Sequence, residues 1–150
     1  MHMRVLLAVN DTQPSWEAIK SVGARPWPPE TIVRVLSTVE YLVPEPPECW
    51  YYAGDILEQI RQEMIKLAES ITWQAVILLS DQGLRAEAVV REGSPRIVIV
   101  EEAKKWNADL IIVGSRGCSG LRCRLLGSVA GSIVRHAPCS VEVIQQRPNS

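Results

Sequence analysis

The stretch Leu110-Ile111-Ile112-Val113-Gly114-Ser115-Arg116-Gly117 decides the fold. Its four apolar residues, three of them β-branched, read as a short strand. The glycines behind them release the chain into a loop, rich in glycine and arginine, from Gly114 to Leu126. Gly127 to Arg135 then reads as a helix with Val129, Ile133 and Val134 on its buried side. Cys139 to Ile144 is a further strand, and Gln145 to Ser150 a polar, frayed tail.

The same alternation runs back to the start of the chain. Arg4 to Val9 is an apolar run that suits a strand buried on both faces. Asn10-Asp11-Thr12-Gln13-Pro14 are turn and cap residues, and Ser15 to Val22 carries Trp16, Ile19 and Val22 at helical spacing, with Gly23 as the stop. Pro26-Trp27-Pro28-Pro29 is a rigid connector to a second strand, Thr31 to Val39. Tyr41 to Gly54, with three prolines and Trp50, Tyr51 and Tyr52, reads as a long loop. Asp55 then reads as the N-cap of a long helix reaching Gly83, with Ile56, Leu57, Ile60, Met64, Leu67, Ala68 and Ile71 on one stripe. Leu84 to Val90 alternates as a third strand. In the next segment Ser94-Pro95 is the start signal of a helix, while Ile97-Val98-Ile99-Val100 has strand propensity. Cap chemistry outweighs propensity, so a helix runs to Asn107 with a stripe from Ile97 through Ala103 to Trp106. Five strands alternating with four helices predict an α/β fold: a single doubly wound, five-stranded parallel sheet with helices on both faces, occupying residues 1–150 as one domain.

Composition agrees with a globular domain. The 150 residues are 47% apolar and 22% charged. A net charge of −1 argues against a surface that coats nucleic acid. No apolar run approaches the ~20 residues that span a bilayer, and Val5 to Val9 is too short for a signal peptide, so the expected location is the cytoplasm, away from membranes. Cys49, Cys118, Cys123 and Cys139 form no CxxC pair, and His2 and His136 lie far apart, so no zinc site is expected and the cysteines read as reduced thiols.

In open parallel sheets, ligands sit beyond the carboxyl ends of strands, where strand order reverses. Asn10-Asp11-Thr12 and Gly114-Ser115-Arg116-Gly117 both fit that position. The second leads to Gly127-Ser128 at a helix start, giving the spacing Gly114-x2-Gly117-x9-Gly127-Ser128. Glycines let backbone N–H groups approach an anion, a helix N-terminus favours negative charge, and Ser128 adds a hydroxyl. Arg116, Arg122 and Arg124 bring guanidinium groups to the loop. Taken singly, each of these is an ordinary turn glycine or a solvated arginine; together they describe a phosphate site. The chain carries neither a P-loop motif nor GxGxxG after its first strand.

These residues carry a resemblance. The frame Ala108 to Gly117, then Gly127-Ser128-Val129-Ala130 through His136-Ala137-Pro138-Cys139-Ser140-Val141, resembles the ATP-binding branch of the universal stress protein (UspA) family. Val5 to Asn10 and Val90 to Pro95 match as well, and the likeness is weakest from Tyr41 to Leu84. The resemblance implies a Rossmann-like, adenine nucleotide alpha hydrolase-like fold binding ATP, with or without magnesium. It would put the phosphates on Gly117, Gly127 and Ser128, with Val129 and Ala130 at the helix start. Val113 and Gly114 would line the ribose side, Arg116 the ribose-phosphate, and Ala8, Asn10 and Thr38 the adenine. The family usually has aspartate where this chain has Asn10, which removes a negative charge and bears on base or ribose preference. It also implies a homodimer through the last strand, Val141 to Ile144.

The leading expectation is therefore a nucleotide-binding regulatory or stress-response protein, with no catalytic residue and no metal ligand assigned. One alternative is a slow ATPase or nucleotidyl-transfer enzyme, with Asp11 the only early candidate for a base or metal-holding carboxylate. Another is an interaction module using the Tyr41 to Gly54 segment.

Overall fold

The computed structural model describes residues 2–41, 48–115 and 127–145. Five strands, β1 (Arg4–Ala8), β2 (Ile32–Val39), β3 (Arg85–Glu92), β4 (Leu110–Gly114) and β5 (Ser140–Ile144), form one parallel sheet in the order β3-β2-β1-β4-β5. Four helices, α1 (Gln13–Ala24), α2 (Glu48–Asp81), α3 (Pro95–Trp106) and α4 (Ser128–His136), connect them. The expected α/β architecture is thus observed.

The sheet is covered on both faces, which explains the unbroken apolar runs of its inner strands. Val5 and Leu7 of β1 face one core, with Ala18, Ile19 and Val22 of α1 and Ile71, Ala75 and Leu79 of α2. Leu6 points the other way, to Ile99 and Ala103 of α3 and Ala130 and Ile133 of α4. Val5, Leu6 and Leu7 are fully buried, and each such side chain contributes roughly 1.5–3 kcal/mol. β1 pairs with β2 (Val5 beside Val33) and with β4 (Val5 beside Leu110). The chain winds outward from β1 through β2 to β3, then crosses back to β4, so strand order reverses between β1 and β4.

The cap residues act where the sequence puts them. The Thr12 hydroxyl accepts from the Ser15 N–H at 3.4 Å and opens α1. Ser94 holds the N-cap position of α3 by its extended backbone, without a side-chain cap bond, and Pro95 opens the helix that contains Ile97-Val98-Ile99-Val100. That helix ends at Asn107, which takes the left-handed φ of 55° and returns its N–H to the Ala103 and Lys104 carbonyls. Gly93 ends β3 at a φ of +135°, which side chains rarely adopt.

Several expectations are corrected. α2 begins at Glu48, so Trp50, Tyr51 and Tyr52 belong to a helix rather than a long loop, and Asp55 lies about two turns inside it. Nothing after Pro47 breaks a helix, and a proline just before the first turn is compatible with one. The stripe on α2 is buried only from Ala68 onward; Ile56, Ile60 and Leu67 are exposed and Met64 borders on it. The helix is longer than the sheet is tall, so its first half runs beyond the surface that could cover it. Gly23 does not stop α1, which continues to Ala24 with Arg25 as its C-cap. β3 is longer than read, ending at Glu92. Ile97 and Val134 are exposed, and the buried positions are Ile99, Val100 and Ala103 on α3 and Ala130 and Ile133 on α4. Trp106 packs partly buried against this core, as expected, and Arg34 lies over its ring with the guanidinium 4.4 Å from the ring centre. Arg34 also donates to the buried Glu102 at 2.9 Å, which compensates the burial of that carboxylate.

Candidate functional site

The reversal between β1 and β4 opens a crevice at their carboxyl ends, and three helix starts surround it. β1 leads out through Val9, whose N–H donates to the Leu36 carbonyl at 2.9 Å. Asn10 follows, held from behind by the start of α1: its N–H donates to the Ser15 hydroxyl at 2.9 Å, and that hydroxyl donates to its side-chain oxygen at 2.7 Å. β4 ends at Gly114, where an added methyl group would lie 2.7 Å from both the carbonyl carbon and the carbonyl oxygen of Pro14. Glycine there lets α1 begin hard against β4 and closes the floor of the crevice. Ser115 then donates its N–H to the Ile144 carbonyl at 2.8 Å, extending the β4 pairing with β5.

The fourth helix supplies the polar end. Gly127, which has no side chain to offer, caps α4 at φ −58° and ψ 159°. The leading N–H groups of Ser128, Val129 and Ala130 have no partner within a helix, and they sit at the positive end of its dipole. Such an end can hold phosphate or carboxylate oxygens.

A cavity of about 260 Å³ fills the crevice. Of the residues expected from sequence, Ala8 and Asn10 line it from β1, Thr38 from β2, Val113 and Gly114 from β4, and Gly127, Val129 and Ala130 from α4. Ser128 is the exposed first residue of α4 and does not line this cavity. Arg116 and Gly117, with Arg122 and Arg124, lie outside the described residues, as do Cys118 and Cys123.

The structure adds residues that sequence reasoning missed. Val9, Ser15 and Leu36 line the cavity beside the expected ones. Glu40 and Pro95 follow the carboxyl ends of β2 and β3, so the strand-end rule applied to every strand would have found them. Met64 reaches in from α2, and Ile99 from α3. Both read as ordinary core positions, and no local signal marks them for a site.

Other reactive groups stand apart. Burial pushes the Cys139 thiol up from its ordinary value, aided by the nearby Asp109 carboxylate, which disfavours the reactive thiolate. His136 approaches the Ser132 carbonyl at 2.9 Å through Nδ1, a local contact at the end of α4. Among the described residues no cluster of three metal-ligating side chains occurs, and no helix is long and apolar enough to cross a membrane.

Sheet order, layers and crevice define a doubly wound α/β protein of the adenine nucleotide alpha hydrolase-like fold. Residues 1–145 match the model of the universal stress protein family, and the chain belongs to that family. It is 30% identical over 95 residues to universal stress protein YxiE of Bacillus subtilis, a match covering 63% of this chain and 62% of that one. Universal stress protein Sll1388 of Synechocystis is 36% identical over 89 residues, covering 59% and 55%; these two matches thus span under two thirds of the relatives' own length. Universal stress protein MJ0531 of Methanocaldococcus jannaschii is matched across 97% of this chain and 84% of its own at 28% identity. The fold is shared with UspA from Lactobacillus plantarum (TM-score 0.77, 20% identity, covering 95% and 97%). It is also shared with an Arabidopsis thaliana universal stress protein solved with AMP bound (0.66, 21%, covering 97% and 92%). A third such structure is the Archaeoglobus fulgidus protein in complex with dAMP (0.67, 19%, covering 95% and 97%).

Proposed function

We propose that this chain is a nucleotide-binding universal stress protein that holds an adenine nucleotide, ATP included, and acts by binding in a regulatory or stress response. The observation that carries the reading is the cavity at the β1/β4 switch point, bounded by the start of α4, whose cap position is held by a glycine. The phosphates lie against Gly127 and the leading N–H groups of α4, the turn that Ser128 opens. The sugar crosses Val113 and Gly114, and the base lies toward Ala8, Asn10 and Thr38. The neighbours solved with AMP and dAMP support an adenine nucleotide as the ligand class. Magnesium, where present, arrives with the phosphates of ATP.

Calorimetric titration with ATP, with and without magnesium, tests the reading, using Ser128→Asp as control. Aspartate at a helix start suits the dipole, so the fold is retained, while its charge repels phosphate. ATP binding by the parent and a loss of about tenfold or more in the variant are expected, the scale of losing one charge-assisted contact. Absence of heat at millimolar ATP would end the reading.

The chain also pairs with a second copy through the free edge of β5, Val141 to Ile144, in this proposal. β5 bonds to β4 on one side only, which leaves a row of backbone donors and acceptors. The Ile144 carbonyl points toward β4, so the backbone of Val143 points outward. Val143→Pro removes an outward N–H and is expected to convert a dimer to monomer in sedimentation; an unchanged dimer refutes this interface.

A further inference from the structure

The sheet order leaves a second open edge, opposite β5. β3 bonds to β2 on one side and, among the described residues, to no strand on the other. The Gly93 N–H donates to the Val39 carbonyl at 2.9 Å, toward β2. Backbone groups alternate in side along a strand, so Arg91, Val89, Glu87 and Arg85 also address β2. Ala86, Ala88, Val90 and Glu92 turn theirs outward. The Val90 carbonyl takes a bond from the Arg91 guanidinium at 3.3 Å, a long contact that a strand N–H can replace. Beside this edge stands Trp73 of α2, 61% exposed. It borders a notch of about 380 Å³ that Ala88 and Val90 also line.

A second copy of β3 fits this edge in one register. In antiparallel pairing about a two-fold axis, the residue at the axis decides every other pair. With the axis at Val89, Ala88 lies opposite the second copy's Val90, and the two exchange backbone bonds through their outward groups. Glu87 lies opposite the second copy's Arg91, and Arg91 opposite its Glu87. Both are non-hydrogen-bonded pairs, where side chains come closest. An axis at Glu87 or Arg91 sets that charge against itself, and an axis at Ala88 sets Arg85 against Arg91. An axis at Val90 pairs no charges, and one at Ala86 sets Arg85 against Glu87 but overlaps little of β3. On the other face, the second copy's Val90, opposite Ala88, enters the notch beside Trp73. Charges on an edge strand commonly block pairing, but these are complementary to their own two-fold image.

We infer that the β3 edge is a contact surface for a second copy of this chain, paired antiparallel about Val89, with Glu87 and Arg91 of the two copies opposite each other and Trp73 of each covering the other's Val90. The contact is independent of the nucleotide reading and adds to the β5 pairing. It forms as protein concentration rises, because its charges already have partners in their own chain: Glu87 has Arg34 at 2.6 Å, and Arg91 has Glu102 at 3.5 Å. Exposed charges gain little by exchanging one partner for another. Copies paired at both edges of the sheet add on without closing into a ring.

Sedimentation of the full chain carrying Val143→Pro, which blocks β5, isolates the contact. Monomer is expected at about 10 μM and dimer by about 1 mM, the range of a weak, small interface. Adding Val90→Pro removes an outward N–H and is expected to keep the chain monomeric throughout. Trp73→Glu, at an exposed position, is expected to do the same and decides the matter should the proline chain fail to fold. The register is read by Val89→Cys in the otherwise unchanged chain. Under oxidised glutathione it is expected to give copies joined at position 89, found by peptide mapping, because the pair on the axis lies within disulfide reach. Ala88→Cys, opposite Val90 rather than itself, is expected to give no such link. A Val143→Pro chain still monomeric at about 1 mM overturns the inference. So do Val90→Pro and Trp73→Glu chains that dimerise as their background does, and a Val89→Cys chain that forms no link at that position.

Discussion

Replacing Gly114 with alanine adds one methyl group at the tightest point of the crevice. That methyl would lie 2.7 Å from the carbonyl carbon and oxygen of Pro14 and 3.0 Å from its Cβ. Ordinary carbon contact begins near 3.5 Å, so β4 and the start of α1 must part by about 0.8 Å. Backbone strain is not the issue, because the positive-φ glycines are Gly83 and Gly93, not Gly114. The neighbour that must yield is backbone in the first turn of a buried helix, which cannot swing aside as a side-chain tip would. Overpacking of this kind costs ~1–3 kcal/mol. Loss of glycine's freedom in the unfolded chain returns about 0.4–1 kcal/mol. Taking the middle of each range, the net is a destabilisation of roughly 1.3 kcal/mol, or about 3–5 °C in Tm for a chain of this size. The displacement also carries Ser15, whose hydroxyl holds Asn10 in place, so nucleotide affinity should fall as well. Thermal melting followed by circular dichroism reads the first effect and titration with AMP the second. A variant whose Tm lies within about 1 °C of the parent and whose AMP titration superimposes on it would falsify the packing argument.

Two further outcomes follow from the same structure. Leu79→Ala on the buried half of α2 should cost ~2–5 kcal/mol, whereas Ile60→Ala on its exposed half should cost under ~0.5 kcal/mol; denaturant melts of both check the division, and equal losses would contradict it. Glu142 accepts two hydrogen bonds from Arg25, at 2.7 and 2.8 Å, and these hold its carboxyl below the ordinary 4.5 against a smaller opposing effect of burial. A depressed folded pKa contributes stability above the unfolded value and loses it as pH falls through the folded one, so Glu142→Gln should remove part of the acid sensitivity below about pH 4.5. Both partners are about one-third exposed, so screening limits the effect to ~1 kcal/mol or less; a parent and variant that lose stability in parallel on acidification would refute it.

What was legible in the residues divides along physical lines. Strands and helices came through because their signals are local: apolar runs such as Val5 to Leu7, caps such as Thr12 and Ser94, and the change of period between them. The start of α2 was lost because the prolines before Glu48 and the aromatic residues after it resemble a loop, and nothing local says that the helix begins at once. The reach of burial along α2 was lost for a different reason. A stripe reports which face of a helix is apolar, and the length of the sheet beneath decides how much of that face is covered.

The candidate site divides the same way. The amino-acid sequence by itself determined the doubly wound class, the strand-end loops and the helix start at Gly127-Ser128, because backbone donors and glycine spacing are written along the chain. Only the tertiary structure decided that Gly114 serves close packing against Pro14, that Met64 and Ile99 join the cavity, and that the Ser15 hydroxyl holds Asn10. Those depend on which atoms meet across the sheet or around a turn, and a contact between Gly114 and Pro14 has no signature in either stretch of sequence alone.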